Sequence, residues 1–126
     1  ESTYTFSMHA DKWDEVLTKS NNTDIELPAH IKDKEYLKIL ENELPKVFSI
    51  FTPELIIYIA GSDPFIQDTL GDFDLTEQGM LKRDIFVYRQ ARKREIPLTV
   101  LGGGGYGPES WKIYFNFIKW VVKKGK

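Results

Sequence analysis

The sequence predicts an α/β fold, a parallel sheet with flanking helices. Two short apolar runs carry much of this expectation. They are residues 55–59 (Leu-Ile-Ile-Tyr-Ile) and residues 97–101 (Pro-Leu-Thr-Val-Leu), and a glycine follows closely after each. Buried parallel strands read in this way, as continuous apolar runs that break at a loop. The second observation is that the stretches between and after these runs repeat apolar residues at helical spacing. The third is an alternating run at the start of the chain, residues 3–8. The resulting order, β-α-β-α-β-α, implies parallel strands with right-handed crossovers. Three strands make a thin sheet with two exposed edges.

In chain order, the strand at 3–8 leads into a polar loop, 9–22. His9 has no second His or Cys at ligand spacing, so it reads as structural rather than metal-binding. Trp13 fits a pocket mouth or plain loop packing, the latter better. Residues 20–24 (Ser-Asn-Asn-Thr-Asp) are a turn cluster. Residues 25–28 are extended, as Pro28 requires of its predecessor. His30 falls in an exposed loop and receives no role. A helix starts at Asp33, with Tyr36, Leu37, Leu40, Leu44, Val47, Phe48 and Phe51 recurring near helical spacing. Pro45 is expected to kink it, and Thr52-Pro53 stops it.

After the strand at 55–59 comes a loop holding Asp63, Asp68, Leu70, Gly71 and Asp72. Asp68 and Asp72 read as loop hydrogen-bonding residues. Thr76 is placed to cap the next helix, with Glu77 in its first turn. Met80, Leu81, Ile85, Val87, Tyr88 and Ala91 mark that helix's inner face, and Arg83-Asp84 reads as a structural ion pair. The basic run 89–94 reads as a solvated helix end favourable to the helix dipole. The last helix begins at Glu109 and Ser110 and is apolar on more than one face, from Trp111 to Val122.

The bounds exclude several classes. At 126 residues this is one domain at most. Net charge is −2, with no broad basic footprint, so no nucleic-acid partner is expected. There is no cysteine, hence no disulfide framework and no thiolate zinc site. A cytoplasmic location is the expectation. No apolar run reaches the length of a membrane span, so no membrane partner is expected, and no signal-peptide pattern opens the chain.

Chemistry concentrates in two loops. In open α/β sheets the site lies beyond the carboxyl ends of the strands. Asp63 stands two residues after Gly61 and just before the stiff Pro64. It suits a metal ligand or general base there, and equally a cap or turn residue. The four glycines 102–105 lead into Tyr106. Consecutive glycines cost folding entropy and are kept where backbone approaches something closely. Tyr106 offers a phenol that can donate to a developing oxyanion. Leu70 reads equally as an apolar wall or as core.

Together these motifs resemble the histone deacetylase superfamily, which also holds acetylpolyamine amidohydrolases and acetoin-utilisation proteins. The residues concerned are A-G-S-D-P-x-x-x-D-x-L-G-D-F-x-L-T from Ala60, the K-R-D of Lys82-Arg83-Asp84, and I-P-L-T-V-L-G-G-G-G-Y ending at Tyr106. F-S-M-H at Phe6 and D-x-x-Y-L at Asp33 add to them. The resemblance runs in order along nearly the whole chain. It implies the arginase-like α/β domain of a zinc-dependent deacetylase acting on N-acetyl-lysine or a related acetylated amine. The family's zinc is held by two carboxylates and one histidine, and Asp63 matches the last of the three. Iron(II) can replace zinc at such a site. Tyr106 matches the oxyanion-stabilising tyrosine. Leu70, Gly71, Gly103, Gly104 and Gly105 match the substrate channel. Ser7 and Met8 match residues that help hold a monovalent cation, K+, as a structural ion.

The family's other two metal ligands and its His-His pair lie upstream of the part that this chain matches. Residues 1–126 are therefore read as a single partial domain, the C-terminal part of a deacetylase-type catalytic domain. Its partner would be the N-terminal portion of the same domain, and alone it is expected to be inert. Two readings from other classes stand beside this one. The glycine loop before a helix suits a small phosphate- or nucleotide-binding module, although neither G-x-G-x-x-G nor G-K-[ST] is present. A non-catalytic interaction fragment is the other.

Overall fold

A computed structural model describes residues 2–10 and 20–124 of the chain. Its elements are β1 (Thr5–Ala10), β2 (Asn22–Leu27), α1 (Asp33–Ile50), β3 (Ile56–Ile59), α2 (Glu77–Arg92), β4 (Leu98–Leu101) and α3 (Ser110–Lys124). The architecture is α/β with parallel strands and flanking helices, as expected. The strands do not form one sheet of three, however. β1 pairs with β2 and β3 pairs with β4, each pair parallel and separate.

The extra strand, β2, corrects the turn assigned to residues 20–24 at Asn22, Thr23 and Asp24, while Ser20 and Asn21 do form a turn. Asn22, Thr23 and Asp24 carry no apolar alternation, so nothing local marks them as a strand. Pairing with β1 makes them one, in register from Thr5 opposite Asn22 to Ala10 opposite Leu27. A hydrogen bond of 2.7 Å between the Tyr4 and Thr23 hydroxyls reinforces the edge. β1 also runs on through His9 and Ala10 instead of ending at Met8. His9 Nδ1 lies 3.0 Å from the Ala10 carbonyl and Nε2 lies 2.6 Å from Asp24 Oδ1. Both neighbours accept, so the ring is favoured as a double donor. Burial opposes its positive charge, but these acceptors outweigh burial and raise its pKa above the ordinary value. His9 has the structural role expected of it. Trp13 lies outside the described residues.

α1 is one continuous helix through Pro45. Its first residue, Asp33, accepts from both the backbone N–H (2.8 Å) and the hydroxyl (2.5 Å) of Thr76. The Thr76 hydroxyl in turn accepts from Gly79 N–H at 3.0 Å, which caps α2 as expected. The starts of two helices 43 residues apart are thereby tied together.

The core joins β1 and β2 (Ala10, Leu27) to α1 (Tyr36, Leu40), α2 (Met80) and α3 (Ile113). The loop after β3 contributes Phe65, Phe73 and Leu75 to the same cluster. This anchoring matters for the site. With Phe65, Phe73 and Leu75 committed inward, the loop has a defined path for its polar residues.

Under the carboxyl end of β3 lies a buried polar cluster. Arg83 and Asp84 are only 5% and 2% exposed. Arg83 Nε donates to Asp84 Oδ1 at 2.9 Å, and the Tyr58 hydroxyl donates to the same oxygen at 2.6 Å. Arg83 Nη1 donates to the Gly61 carbonyl at 2.8 Å. Burial pushes the Tyr58 phenol well above its ordinary pKa, against the opposing charge of Arg83, so it remains a neutral donor. The structural ion pair expected at Arg83-Asp84 is present, and it also holds the strand end two residues before Asp63. Asp84→Ala would leave a buried guanidinium without its carboxylate. In the complete domain the expected loss is about 3–5 kcal/mol of stability, read by urea denaturation. A loss below about 1 kcal/mol, as for a surface pair, would show that water reaches the cluster.

The basic run 89–94 is largely the solvated helix end expected, with Arg89, Arg92 and Lys93 exposed, while Arg94 is half-buried. Arg94 sits over the Phe48 ring, 4.0 Å from its centroid, and donates to the carbonyl and side chain of Gln90. Arg89 lies over Trp120 at 5.3 Å. These cations cover aromatic surface with their stems and faces. α3 turns Ile113 and Phe117 inward and leaves Trp111, Phe115, Ile118 and Val122 exposed, in keeping with its two apolar faces. No helix among the described residues is long and apolar enough to cross a membrane.

Candidate active site

The site is built where β3 and β4 end side by side. Their pairing continues past the strands: Ala60 N–H donates to the Leu101 carbonyl at 2.8 Å and Ser62 N–H to the Gly104 carbonyl at 2.5 Å. Ser62 is fully buried at this seam. The loop following β3 and the glycine loop following β4 are thus laid backbone against backbone.

Asp63 lies in this seam, half-buried. A Cβ on Gly104 would stand 2.8 Å from Asp63 Oδ1, closer than real carbon atoms come. A Cβ on Gly71 would run into the Asp63 carbonyl. Glycine at these two positions is what lets the loops close on the carboxylate. Gly103 packs against Ile59 and Gly61, and Gly105 against Ser62. The Tyr114 hydroxyl from α3 lies 3.4 Å from both the Gly103 N–H and the Gly104 carbonyl.

A second carboxylate joins the loops. Asp68 Oδ1 accepts from Leu70 N–H at 2.9 Å and Gly71 N–H at 2.7 Å. Its Oδ2 accepts from Tyr106 N–H at 2.7 Å. The neighbouring Thr69 hydroxyl donates to the Tyr106 carbonyl at 3.0 Å. Burial alone would raise the Asp68 pKa, but the backbone N–H groups of Tyr106, Leu70, Gly71 and Gly107 together hold it below its ordinary value. The Tyr106 side chain itself is 59% exposed.

The structure therefore brings together Asp63, Gly71, Gly103, Gly104, Gly105 and the backbone of Tyr106. Leu70 is 56% exposed in this chain, outside its core cluster. Ser7 and Met8 belong to the other sheet. Ser7 stands opposite Asp24 in the ladder, and Met8 packs on the core. Among the described residues no group of three or more His, Asp or Glu side chains forms a metal cage. Asp63 is thus at most one ligand of a site that needs others.

Sequence reasoning assigned Asp68 to loop hydrogen bonding, and its bonds two and three residues ahead are of that kind. Its bond to Tyr106, 38 residues away, had no local signal. The same holds for Thr69, Ser62 and Tyr114.

The family model for the histone deacetylase domain matches residues 1–117. The chain belongs to the histone deacetylase family. It is 35% identical over 101 residues to histone deacetylase 2 of Arabidopsis thaliana, covering 80% of this chain and 26% of that protein. With human histone deacetylase 1 it shares 37% identity over 76 residues, 60% of this chain and 15% of that protein. Among solved structures it is similar to an HDAC homolog from Aquifex aeolicus, with TM-score 0.78, 27% identity and coverage of 98% of this chain and 35% of that one. An acetylpolyamine aminohydrolase from Burkholderia pseudomallei shares the fold at TM-score 0.79 and 15% identity, over 95% of this chain and 38% of that one. The chain thus spans about a third of these deacetylase-fold structures and less of the curated family members.

Proposed function

We propose that the chain is the C-terminal part of a zinc-dependent deacetylase domain that hydrolyses N-acetyl-lysine or a related acetylated amine. One observation carries this reading: the Asp63 loop and the glycine loop leading to Tyr106 meet backbone to backbone at the paired ends of β3 and β4.

Asp63 is assigned as one metal ligand. Its carboxylate lies against the glycine backbone at positions 61 and 104, at the seam of the two loops. The remaining ligands come from the rest of the domain. When bound, zinc lowers the pKa of its water to about 7 and polarises the substrate carbonyl. Iron(II) suits the same donor set. Tyr106 donates its phenolic proton as a hydrogen bond to the carbonyl oxygen while that oxygen gains charge. Leu70 and Gly71 form one wall of the acyl channel, and Gly103, Gly104 and Gly105 the other. Ser7 and Met8 contribute to a structural K+ site. The proposal includes a cytoplasmic location, with which a chain free of cysteine is compatible.

The phosphate-binding alternative is disfavoured by Asp68. Its carboxylate already occupies the N–H groups of Tyr106 and Gly107, so the loop's own acid takes the place an anion would need.

The test uses the natural polypeptide. Its intact mass is expected to exceed twice that of this chain, leaving room for the other ligands. An acetyl-lysine peptide should release acetate, chelation should stop the release, and added zinc should restore it. A zinc-replete polypeptide that releases no acetate from acetyl-lysine peptides or acetylated amines would overturn the proposal.

A further inference from the structure

We propose that Asp68 and Thr69 are positioning residues that aim Tyr106 and lock it to the opposite channel wall. This deepens the oxyanion assignment of Tyr106 and rests on it.

The two side chains grip Tyr106 by both of its backbone polar groups. Asp68 Oδ2 takes its N–H at 2.7 Å, and the Thr69 hydroxyl donates to its carbonyl at 3.0 Å. In this chain the tyrosine ring is exposed, so packing does little to direct it. The preceding residues are glycines, which restrain φ and ψ least of all. A phenol on such a loop is aimed mainly by what holds its main chain. The clamp supplies that hold from a loop anchored in the core through Phe65, Phe73 and Leu75.

The same carboxylate sets the opposite wall. Asp68 Oδ1 holds the N–H groups of Leu70 and Gly71, and Gly71 lies against the Asp63 backbone carbonyl. One residue thus ties together the tyrosine, the apolar wall and the loop of the metal-ligand candidate. A carboxylate can accept from several N–H groups at once, and these charge-assisted bonds are the strong ones. Asparagine keeps the shape but loses the charge and turns one acceptor into a donor, facing an N–H.

The experiment is steady-state deacetylation of an acetyl-lysine peptide by the complete domain. It compares the parent with Asp68→Asn, Thr69→Val, Tyr106→Phe and the double variant Asp68→Asn with Tyr106→Phe. Misplacing a reacting group by about 1 Å can reduce rate about 100-fold. Asp68→Asn is therefore expected to lower kcat about 10- to 100-fold with KM within about twofold. Thr69→Val, which keeps the shape, is expected to lower it less. In the Tyr106→Phe background Asp68→Asn should cost much less than in the parent, because its hold on Tyr106 affects rate only through that hydroxyl. Amide exchange at Tyr106 and Gly107 should quicken in Asp68→Asn.

An equal kcat loss from Asp68→Asn with and without the tyrosine hydroxyl would overturn the clamp. So would unchanged kcat and unchanged exchange in Asp68→Asn while Tyr106→Phe is severely impaired; there the oxyanion assignment stands and the clamp alone falls. If Tyr106→Phe keeps parental kcat while Asp68→Asn still quickens exchange, the oxyanion assignment is what fails, and the catalytic role of the clamp goes with it.

Discussion

Asp63→Ala in the complete domain is expected to abolish both metal retention and turnover. The proposed site has three protein ligands with one position open, and removing one leaves too few to hold a catalytic ion. Metal polarisation of a carbonyl is worth several kcal/mol, and each 1.4 kcal/mol is about tenfold in rate, so a loss on the order of 1000-fold or more follows. The variant should still fold. Asp63 is half-buried, and its side chain takes no part in the core cluster. The loop's path is set by Phe65, Phe73 and Leu75, and the strand end by Arg83 on the Gly61 carbonyl. Metal content and acetate release measured on the same folded sample decide the matter. Parental metal content with parental rate would remove Asp63 from the site.

Tyr106→Phe is expected to leave metal content intact and to lower kcat about 100- to 1000-fold, the usual effect of losing one oxyanion donor. The change deletes a hydroxyl from a ring that is already exposed, so it disturbs little packing. The backbone grip of Asp68 and Thr69 does not involve that hydroxyl and survives. The loss should fall on kcat and kcat/KM equally, because the bond forms only as the oxygen gains charge. A kcat within about threefold of the parent would mean that the oxyanion is stabilised elsewhere. Contrasting the two variants separates the roles: one removes the ion, the other only the donor.

How much of this was legible beforehand follows from where each residue's partners lie. Asp63, Gly103, Gly104 and Tyr106 follow short apolar strands within a few residues, so strand, breaker and candidate residue share one local stretch. The Thr76 cap was readable because its acceptor and its donor, Gly79, are three residues apart. The Arg83-Asp84 pair was readable because its members are adjacent. β2 was not, since Asn22–Leu27 opens with three polar residues and becomes a strand only against β1. At the solvated basic end of α2, the contacts of Arg94 with Phe48 and of Arg89 with Trp120 were not legible, because those rings come from other helices.

The sequence by itself determined the α/β class, the order of the three helices and of three of the four strands, the two loops proposed to carry the chemistry, and the family. These rest on local patterns: hydrophobic period, strand breakers and motif spacing. Only the tertiary structure decided that the strands fall into two pairs and that Leu70 is exposed. It alone decided that Asp33 reaches the start of α2, and that Asp68 reaches across to Tyr106. Each of those depends on a contact between residues far apart in the chain. A carboxylate in a loop has the same local appearance whether it bonds its neighbours, water or a backbone 38 residues away; the packing of the loop chooses among them.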